Sequence, residues 1–541
     1  MSDILTEAIV NYDSPLDFQV ISVTPTRLWS VFEEPIKGVY ATMWFNNPPG
    51  VSGKQMVWNF FDFITQQWVK KPDTPYLAPV NTGRGCIAVN YYSSYKFHPF
   101  FTANISSPNL PTIVWWPDIP FDPRNFNGQY QQVPGGEVNG IWAVGGVSKN
   151  GYHHVISSDY DGHMTGVPFA IVYNRFHVSN PIWEGYVPIS LFPPPEGPYY
   201  GFYADPFSKT IITVCCKTEV DYHIIALIDT MEGDMYYVDM PIQVDVTQFI
   251  INKFNLPPDW RGFVSDGNPF VDKDGNIHLI TFLRPPTAPD TSKYEAYVYH
   301  WFYDLYADTM GATFIKHVPA PQYPHGINTL AAGRSQIGQE RNSGTLYAIW
   351  EEFHPTKGVV SFNGYWKAAT QIVLGISKDN GKTWTQEVLL LSTNVPGQQD
   401  TNNWLRFPVI SPVIKHFGNL DLVYWGVYFD DDPGFYSAGG GGLSTVKMLV
   451  GRKEVGVEER TSISYGKTKI NYDGRNISFE IPYKSYITLK LLDVSGREIN
   501  TIYKGNAEGK YNFKVNKITS GIYFINLKTE KENLTSKIII K

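Results

Sequence analysis

A turn followed by a short β-rich strand recurs through the first 450 residues, and this recurrence limits the folds open to the chain. Each turn carries glycine or another turn-forming residue, and the strand after it is rich in aromatic and β-branched side chains. The turns fall at residues 38, 85, 151, 208, 275, 344 and 418, so their spacing runs from 47 to 74 residues. The tightest propeller repeats need about 40–50 residues, so a four-stranded blade with longer loops fits this spacing. The recurrence predicts an all-β propeller, with seven blades favoured and six possible.

The composition agrees with this class and argues against two kinds of partner. Aromatic residues make up 15% of the chain and charged residues 18%, with 39 prolines and 46 glycines, which suits many short strands joined by loops. No long segment keeps a helical apolar period, so little helix is expected. The net charge of −7 gives no reason to expect nucleic-acid binding. The sequence also lacks a run of about 18 apolar residues that could span a membrane.

The best-defined hairpin lies around Asp379. An apolar run at residues 371–376 leads into Ser377, Asp379, Gly381 and Trp384, and a second β-rich run follows. The Asp379 carboxylate can accept hydrogen bonds from backbone N–H groups of the turn, and Gly381 can take the positive φ that such a turn often needs. Trp384 can then cover the hairpin with a large apolar face. These residue types predict a structural turn between two strands.

The sequence pattern S-x-D-x-G-x-x-W resembles the Asp-box, or BNR repeat, of sialidase-like β-propellers. The resemblance implies a propeller for most of the chain and implies no reaction. A sialidase-type hydrolase would need an arginine cluster, an acid–base aspartate and a tyrosine–glutamate pair, and the Arg-Ile-Pro motif expected near the start of such domains is absent. Glu351 and Glu352 could form a carboxylate pair, but we interpret them as solvated charges at the end of a strand. No catalytic residue is therefore assigned.

The composition changes abruptly near residue 460. Of 39 prolines only Pro482 lies beyond it, and none of the 15 tryptophans or 3 cysteines does. Residues 461–541 carry 14 Lys and Arg against 7 Asp and Glu, whereas the preceding 460 residues carry 30 against 44. We therefore expect residues 1–455 to form the propeller, 456–465 a linker, and 466–541 a separate basic domain.

The tail contains successive short strands, predicted at residues 477–481, 487–492, 511–515, 522–527 and 537–540. This pattern predicts a small Ig-like antiparallel β-sandwich. Three motifs, at residues 492–499, 520–524 and 537–541, resemble those of a type IX secretion sorting domain (Por secretion tail). The motif residues are Asp493, Gly496, Arg497, Gly521, Tyr523, Lys537 and Lys541. In structural terms the first motif predicts a hairpin turn. In the second motif Gly521 relieves crowding beside Tyr523, and in the third Lys537 and Lys541 bracket an edge strand.

Signals for metal binding and for cysteine chemistry are weak. Asp272, Asp274 and Asn276 begin like an EF-hand loop, but no glutamate stands at the twelfth position. A bare turn is favoured, with structural calcium as the alternative and no other cofactor expected. Cys215 and Cys216 are expected to be buried and inert, with a vicinal disulfide or a metal role as the alternative.

The remaining signals are adjacent aromatic residues, at 91–92, 115–116, 199–200 and 236–237. Such residues can stack on sugars at a propeller mouth or pack between blades, and packing is the favoured interpretation.

Together these features predict an exported bacterial protein, secreted or held at the outer cell surface. Its tail would meet the secretion machinery, and its native gene would encode a signal peptide that this chain lacks. The favoured function is non-catalytic binding or assembly, with a glycan or a protein as partner. A glycoside hydrolase or lyase acting on extracellular polysaccharide is the first alternative, and self-association into a surface layer is the second. Convergent carboxylates in one central pocket would favour the enzyme, and an aromatic rim would favour the binding module.

Overall fold

The computed structural model divides the chain into two compact units, Met1–Val455 and Gly456–Lys541. The described residues are 3–11, 26–46, 54–105, 111–133, 140–159, 161–190, 200–216, 223–230, 242–262, 267–286, 294–324, 330–360, 364, 366–395, 404–430, 446–456, 469–472, 476–493, 497–514, 518–529 and 533–540. The linker predicted at residues 456–465 lies outside them, except for Gly456. We propose the two units as the two domains of the chain.

The first unit is built of antiparallel sheets that follow one another along the chain. The N-terminal strand is β1 (Asp3–Asn11). The first sheet after it contains β2 (Leu28–Glu33), β3 (Ile36–Asn46), β4 (Lys54–Asp62), β5 (Gln67–Trp68) and β6 (Tyr76–Leu77). The second contains β7 (Thr82–Val89), β8 (Pro99–Ile105), β9 (Thr112–Pro117) and β10 (Tyr130–Val133). The third contains β11 (Gly140–Val147), β12 (Tyr152–Asp159), β13 (Ala170–His177) and β14 (Val187–Ser190).

The sheets continue in the same manner to the end of the unit. The fourth contains β15 (Tyr200–Ala204), β16 (Ile211–Cys216), β17 (Ile224–Asp229) and β18 (Ile242–Asp245), and the helix α1 (Val246–Phe254) follows it. The fifth contains β19 (Arg261–Gly262), β20 (Phe270–Val271), β21 (Ile277–Arg284), β22 (Ala296–Asp304) and β23 (Thr309–Val318). The last, nine-stranded sheet contains β24 (Ala332–Glu340), β25 (Thr345–Val360), β26 (Trp366–Ser377), β27 (Thr385–Leu391), β28 (Trp404–Ile410), β29 (Val413–Phe417), β30 (Leu420–Asp430), β31 (Val446–Gly456) and β1.

Seven strands, taken in chain order from the successive sheets, form a closed ring. They contact one another in the order β2, β7, β11, β15, β20, β24 and β28, and β28 contacts β2 again. We call these seven the inner strands. β1 closes the circle by pairing with β31, so the N-terminal strand supplies the last strand of the final group. This arrangement is a β-propeller, and the predicted all-β class is confirmed.

The number of blades depends on how the nine-stranded sheet is divided. Its two halves are joined by a parallel pairing of β24 with β29 over only two residue pairs, Gln339 with Val413 and Glu340 with Ile414. Counting the halves separately gives seven blades, and counting them together gives six. The preference for seven therefore stays a prediction.

Each sheet packs against a neighbour on both faces, so whole strands are buried, including apolar β9 and the mostly polar β24. All six residues of β9 and all nine of β24 are buried. The core clusters accordingly mix side chains of consecutive sheets, as where Trp58 from β4 packs with Phe101 from β8. Among the described residues α1 is the one α-helix, capped by the Asp245 carboxylate, which accepts a hydrogen bond from the N–H of Gln248.

The second unit is a five-stranded antiparallel sheet. Its strands are β32 (Lys469–Tyr472), β33 (Asn476–Leu492), β34 (Glu498–Lys514), β35 (Gly521–Lys528) and β36 (Asn533–Ile540). β33 runs through both of the strands predicted at 477–481 and 487–492, and its pairing with β34 shifts register between Ile481 and Ser485, around Pro482. One side of the sheet encloses an apolar core that includes Ile487, Leu489 and Ile525. The Ig-like description of this unit stays a prediction.

Candidate ligand-binding face

The candidate site lies on the side of the propeller where the inner strands begin, which we call the upper face. Four inner strands carry a β-bulge close to their first residues, in β7, β11, β24 and β28. The bulges in β11, β24 and β28 each hold one non-glycine residue in the left-handed region: Trp142 at φ 55, Arg334 at φ 58 and Phe407 at φ 55. Bulges re-aim side chains at strand ends and are common beside functional sites. The upper face is therefore where the regular propeller geometry is modified.

A buried ion cluster joins two of these bulges. The Glu351 carboxylate in β25 forms ion pairs with Arg334 and Arg406, and Nη2 of Arg406 is 3.1 Å from Glu351 Oε1. The backbone N–H of Phe407 donates to Glu351 Oε2 at 3.0 Å. The Arg334 guanidinium also lies over the Phe407 ring, 4.6 Å from its centroid. One carboxylate therefore fixes the starts of both β24 and β28.

Burial would raise the pKa of Glu351, but the charges of Arg334 and Arg406 and the hydrogen bonds from Arg406 and Phe407 outweigh it. The pKa is accordingly lowered from its ordinary value of 4.5. A fully buried carboxylate that stays ionised between two guanidinium groups is poorly suited to act as a general acid.

The interpretation of Glu351 and Glu352 as solvated strand-end charges is wrong. β25 does not end after Trp350 but continues to Val360, so both carboxylates lie within a long strand and both are buried. Glu352 accepts hydrogen bonds from Trp350 Nε1 and Gln371 Nε2, both at 2.8 Å, and pairs with Lys316 Nζ at 2.9 Å. Both carboxylates are thus committed to partners within the fold.

The end of β25 and the start of β26 form a hairpin that extends beyond the neighbouring strands of their sheet. The Trp366 side chain on this hairpin is 52% exposed. Its ring stacks on the half-buried Tyr323, with centroids 5.3 Å apart and an interplanar angle of 23°. We call this pair the Tyr323–Trp366 platform.

The platform is held by the backbone around it. The N–H of Gln322 donates to the Pro355 carbonyl at 2.7 Å, and the N–H of Ala368 donates to the Pro324 carbonyl at 3.0 Å. Gly358 lies beneath both rings, where an added Cβ would be 2.7 Å from Tyr323 Cδ2 and 2.8 Å from Trp366 Cε3. Only glycine leaves room for the two rings at this position. The platform is therefore ordered before any ligand arrives.

The residues of the predicted Asp379 turn lie together at the opposite end of the sheet. The Ser377 hydroxyl donates to Asp379 Oδ1 at 2.9 Å, and Gly381, at φ 81, donates its N–H to Ser377 Oγ at 2.8 Å. Asp379 also accepts the N–H and hydroxyl of Thr383, and Trp384 Nε1 donates to the Gly381 carbonyl at 3.1 Å. Burial acts to raise the pKa of Asp379, but these hydrogen bonds lower it. Its purely structural role stays a prediction.

The weak metal candidates form a hydrogen-bonded turn between β20 and β21. Asp272 Oδ1 accepts the backbone N–H groups of Asp274 and Asn276, both at 2.8 Å. Within the described residues, no group of three or more His, Cys, Asp or Glu side chains is arranged to hold a metal ion. The preference for a bare turn stays a prediction.

The predicted aromatic pairs divide between packing and partial exposure. Trp115, Trp116 and Tyr200 are buried, whereas Tyr91 and Tyr92 are half-buried. Residues 199, 236 and 237 lie outside the described part of the chain. Cys215 is buried, and the side chain of Cys216 is not among those described. Trp366 forms an adjacent aromatic pair with Tyr365 in the sequence, and this pair was missed.

The tail motifs occupy a turn and two strands of the second unit. The Arg497 N–H donates to Asp493 Oδ1, and its side chain pairs with Asp493 Oδ2, both at 3.1 Å. A Cβ at Gly521 would be 3.2 Å from the Tyr523 ring, whose hydroxyl donates to the Thr519 carbonyl at 3.0 Å. Lys537 is exposed on β36, the last strand in the sheet order. The motif positions Gly496 and Lys541 lie outside the described residues.

Residues 472–541 match the family described as the secretion system C-terminal sorting domain. The protein is secreted or held at the outer cell surface. The type IX secretion machinery is therefore a partner of the exported protein through this domain. No helix of the described residues is long and apolar enough to cross a membrane.

Three solved structures are similar to most of the exported protein. The polysaccharide lyase Uly1 shares 8% identity and a TM-score of 0.44, over 84% of this chain and 98% of that one. An α-L-arabinofuranosidase of Fusarium graminearum shares 10% identity and a TM-score of 0.38, over 84% and 98%. The NanB sialidase of Streptococcus pneumoniae shares 11% identity and a TM-score of 0.37, over 83% and 71%. No curated protein matches the sequence.

Proposed function

We propose that the exported propeller is a non-catalytic module that binds a glycan on the Tyr323–Trp366 platform. The observation that carries the proposal is the half-exposed indole of Trp366, stacked on Tyr323 at 5.3 Å. A single exposed aromatic residue is ordinary, but Trp366 is stacked on Tyr323, and a rigid pair of rings gives a ligand a broad apolar face to pack against. Sugar rings present a face of C–H groups that packs flat against such a ring.

The fixed backbone of the platform supports binding over a structural role alone. Because the segment around Tyr323 is hydrogen-bonded to the hairpin at Pro355 and Ala368, little conformational freedom remains to be lost when a ligand binds. Gly358 beneath the rings adds to this rigidity. Such preorganisation increases affinity without new contacts.

The two carboxylates near the upper face, Glu351 and Glu352, support binding over glycoside hydrolysis. Glycoside hydrolysis needs two carboxyl groups flanking the scissile bond with room for a sugar and, in inverting enzymes, a water molecule. Glu351 is instead enclosed by Arg334 and Arg406, and Glu352 by Lys316 and Gln371. Neither group is presented to a substrate.

A glycan array probed with the full chain tests the proposal, followed by titration calorimetry with an oligosaccharide that binds. We expect Trp366→Ala to weaken binding by about 5- to 150-fold, taking the about 1–3 kcal/mol of a base stacked on an aromatic side chain as the measure of one stacking contact. Trp366→Phe should bind with intermediate affinity. The matched control is Tyr306→Ala, because Tyr306 is an exposed aromatic residue on the β22–β23 turn.

Three results would contradict the proposal. One is equal affinity of the Trp366→Ala variant and the unchanged protein. Another is cleavage of the bound oligosaccharide, which would favour the hydrolase or lyase. The third is concentration-dependent assembly of the chain in light scattering with no glycan bound, which would favour the surface-layer alternative.

A further inference from the structure

A second pair of aromatic rings lies at the start of the third sheet. The rings of Trp142 and Phe169 are stacked, with their centroids 6.4 Å apart and an interplanar angle of 26°. Trp142 belongs to the bulge of β11, and Phe169 directly precedes β13. Both side chains are half-buried. We call these two residues the Trp142–Phe169 pair.

The strand pairing places this pair on the upper face. Asp159, the last residue of β12, pairs with Gly140 in β11 and with Ala170 in β13. Because β11 begins on the upper face and β12 is antiparallel to it, β12 ends on that face and β13 begins there. Trp142 comes two residues after Gly140, and Phe169 comes just before Ala170. The pair therefore borders the upper end of the ring of inner strands, which we call the mouth.

Both residues of the pair have a backbone conformation that aromatic residues rarely adopt. Trp142 has φ 55 and Phe169 has φ 63, both in the left-handed region. In this region the Cβ of an L-residue approaches the following carbonyl oxygen, whereas glycine meets no such clash. Strain of this kind persists where the surrounding structure enforces it, and it is found most often at ligand-binding and active sites. Two aromatic rings at two such positions therefore point to a use beyond packing.

Hydrogen bonds from both sides hold the pair in place. Asp159 Oδ2 accepts the N–H and the hydroxyl of Thr165, at 2.8 Å and 2.9 Å, and so fixes the loop that leads to Phe169. The N–H of Phe169 donates to the Asp159 carbonyl at 2.5 Å. On the other side the Tyr200 hydroxyl donates to the Trp142 carbonyl at 2.7 Å. Like the Tyr323–Trp366 platform, the pair is ordered before any ligand arrives.

The pair and the platform lie on opposite sides of the mouth. The platform hairpin extends from β25, in which Glu352 pairs with Ala332 at the start of β24. Around the ring of inner strands, β24 is reached from β11 through β15 and β20 in one direction, and through β7, β2 and β28 in the other. A ligand that touches both aromatic sites must therefore cross the mouth.

We propose that the Trp142–Phe169 pair is a second sugar-binding subsite, and that the ligand is a glycan chain of several sugars that crosses the mouth. This inference rests on the proposed function, because the platform supplies the first subsite. A single sugar can occupy only one of the two sites. A chain that reaches both gains affinity, because its second contact forms within the complex at a high effective concentration. The ligand class is thus an extended polysaccharide segment, and a terminal mono- or disaccharide is too short.

Titration calorimetry on the full chain tests the second subsite, with oligosaccharides of increasing length, from the disaccharide upward, prepared from a polysaccharide that binds on the glycan array. The variant is Trp142→Gly, since glycine adopts φ 55 without strain and the change removes only the ring. In the unchanged protein, affinity should rise steeply at the length that reaches both sites. In the variant this rise should disappear, so long chains bind about 5- to 150-fold more weakly, by the same measure of one stacking contact. Short chains should bind the variant and the unchanged protein equally.

Two further variants separate this inference from the proposed function. Trp366→Ala should weaken binding of chains of every length, and the control Tyr306→Ala should change none of them. If Trp366→Ala weakens binding but Trp142→Gly leaves long-chain affinity unchanged, the second subsite is refuted and the proposed function stands. If Trp366→Ala changes nothing, the proposed function is refuted, and this inference with it.

A second variant of the pair keeps the test decisive if Trp142→Gly does not fold. Phe169→Asn removes the other ring, and asparagine is among the residues that tolerate the left-handed region. It should abolish the rise of affinity with chain length in the same way. A length dependence equal to that of the unchanged protein would overturn the second subsite.

Discussion

Replacing Glu351 by glutamine should destabilise the propeller strongly, because Glu351 is the carboxylate that joins Arg334 to Arg406. Glutamine keeps the shape of the side chain and can still accept the N–H of Phe407, so the change removes mainly the charge. Removing one partner of a buried ion pair typically costs about 3–5 kcal/mol. At roughly 2 °C per kcal/mol for a large domain, the melting temperature should fall by about 8 °C.

The matched control is Glu387→Gln, which removes one partner of a pair with Lys453 at 2.8 Å near the surface. Such pairs contribute about 0–1 kcal/mol because solvent screens them. Differential scanning calorimetry on the three proteins measures the contrast. Equal melting temperatures for the two variants would refute the argument that the Glu351 cluster supports the starts of β24 and β28.

The same ion cluster predicts that the stability of the protein depends on pH under acidic conditions. Folding lowers the pKa of Glu351 from 4.5. Its contribution to the free energy of unfolding is therefore complete above pH 4.5 and is lost as pH falls through the lower pKa of the folded protein. The unchanged protein should therefore lose stability more steeply below about pH 4.5 than the Glu351→Gln variant. Parallel acid-unfolding curves for the two proteins would contradict this.

Three further predictions follow from other parts of the chain. Gly358→Ala should displace Trp366 from Tyr323 and weaken glycan binding in calorimetry, and unchanged binding would mean that the platform is not preorganised as described. Asp379→Ala should destabilise its hairpin by about 1–2 kcal/mol with glycan affinity unchanged, as measured by denaturant unfolding and calorimetry, and a loss of affinity at unchanged stability would refute the structural role. Residues 1–455 should fold alone, and an insoluble or molten fragment in near-UV circular dichroism would show that the sorting domain completes the propeller.

The propeller and the sorting domain could be predicted because their signals are local. Turn chemistry around Asp379 and the hairpin from Asp493 to Arg497 depend on residues within a few positions of one another, and the structure places each set in one turn. The continuity of β33 was missed, since two strands were predicted at 477–481 and 487–492, whereas the pairing with β34 resumes after a change of register.

The candidate site could not be predicted from the sequence, since burial is decided by residues far along the chain. Glu351 meets Arg406, which is 55 positions away and belongs to another strand. Trp366 is exposed and Trp116 is buried, although both lie in strands, because only Trp116 is covered by a neighbouring sheet. Tyr323 comes to Trp366 through backbone hydrogen bonds that no local pattern encodes.

A crystal structure of the full chain with a bound oligosaccharide tests the central claim most directly. The account predicts an intact oligosaccharide with one sugar ring lying flat on Trp366, beside Tyr323. A cleaved product lying against Glu351 or Glu352, with the Trp366 ring uncovered, would contradict it.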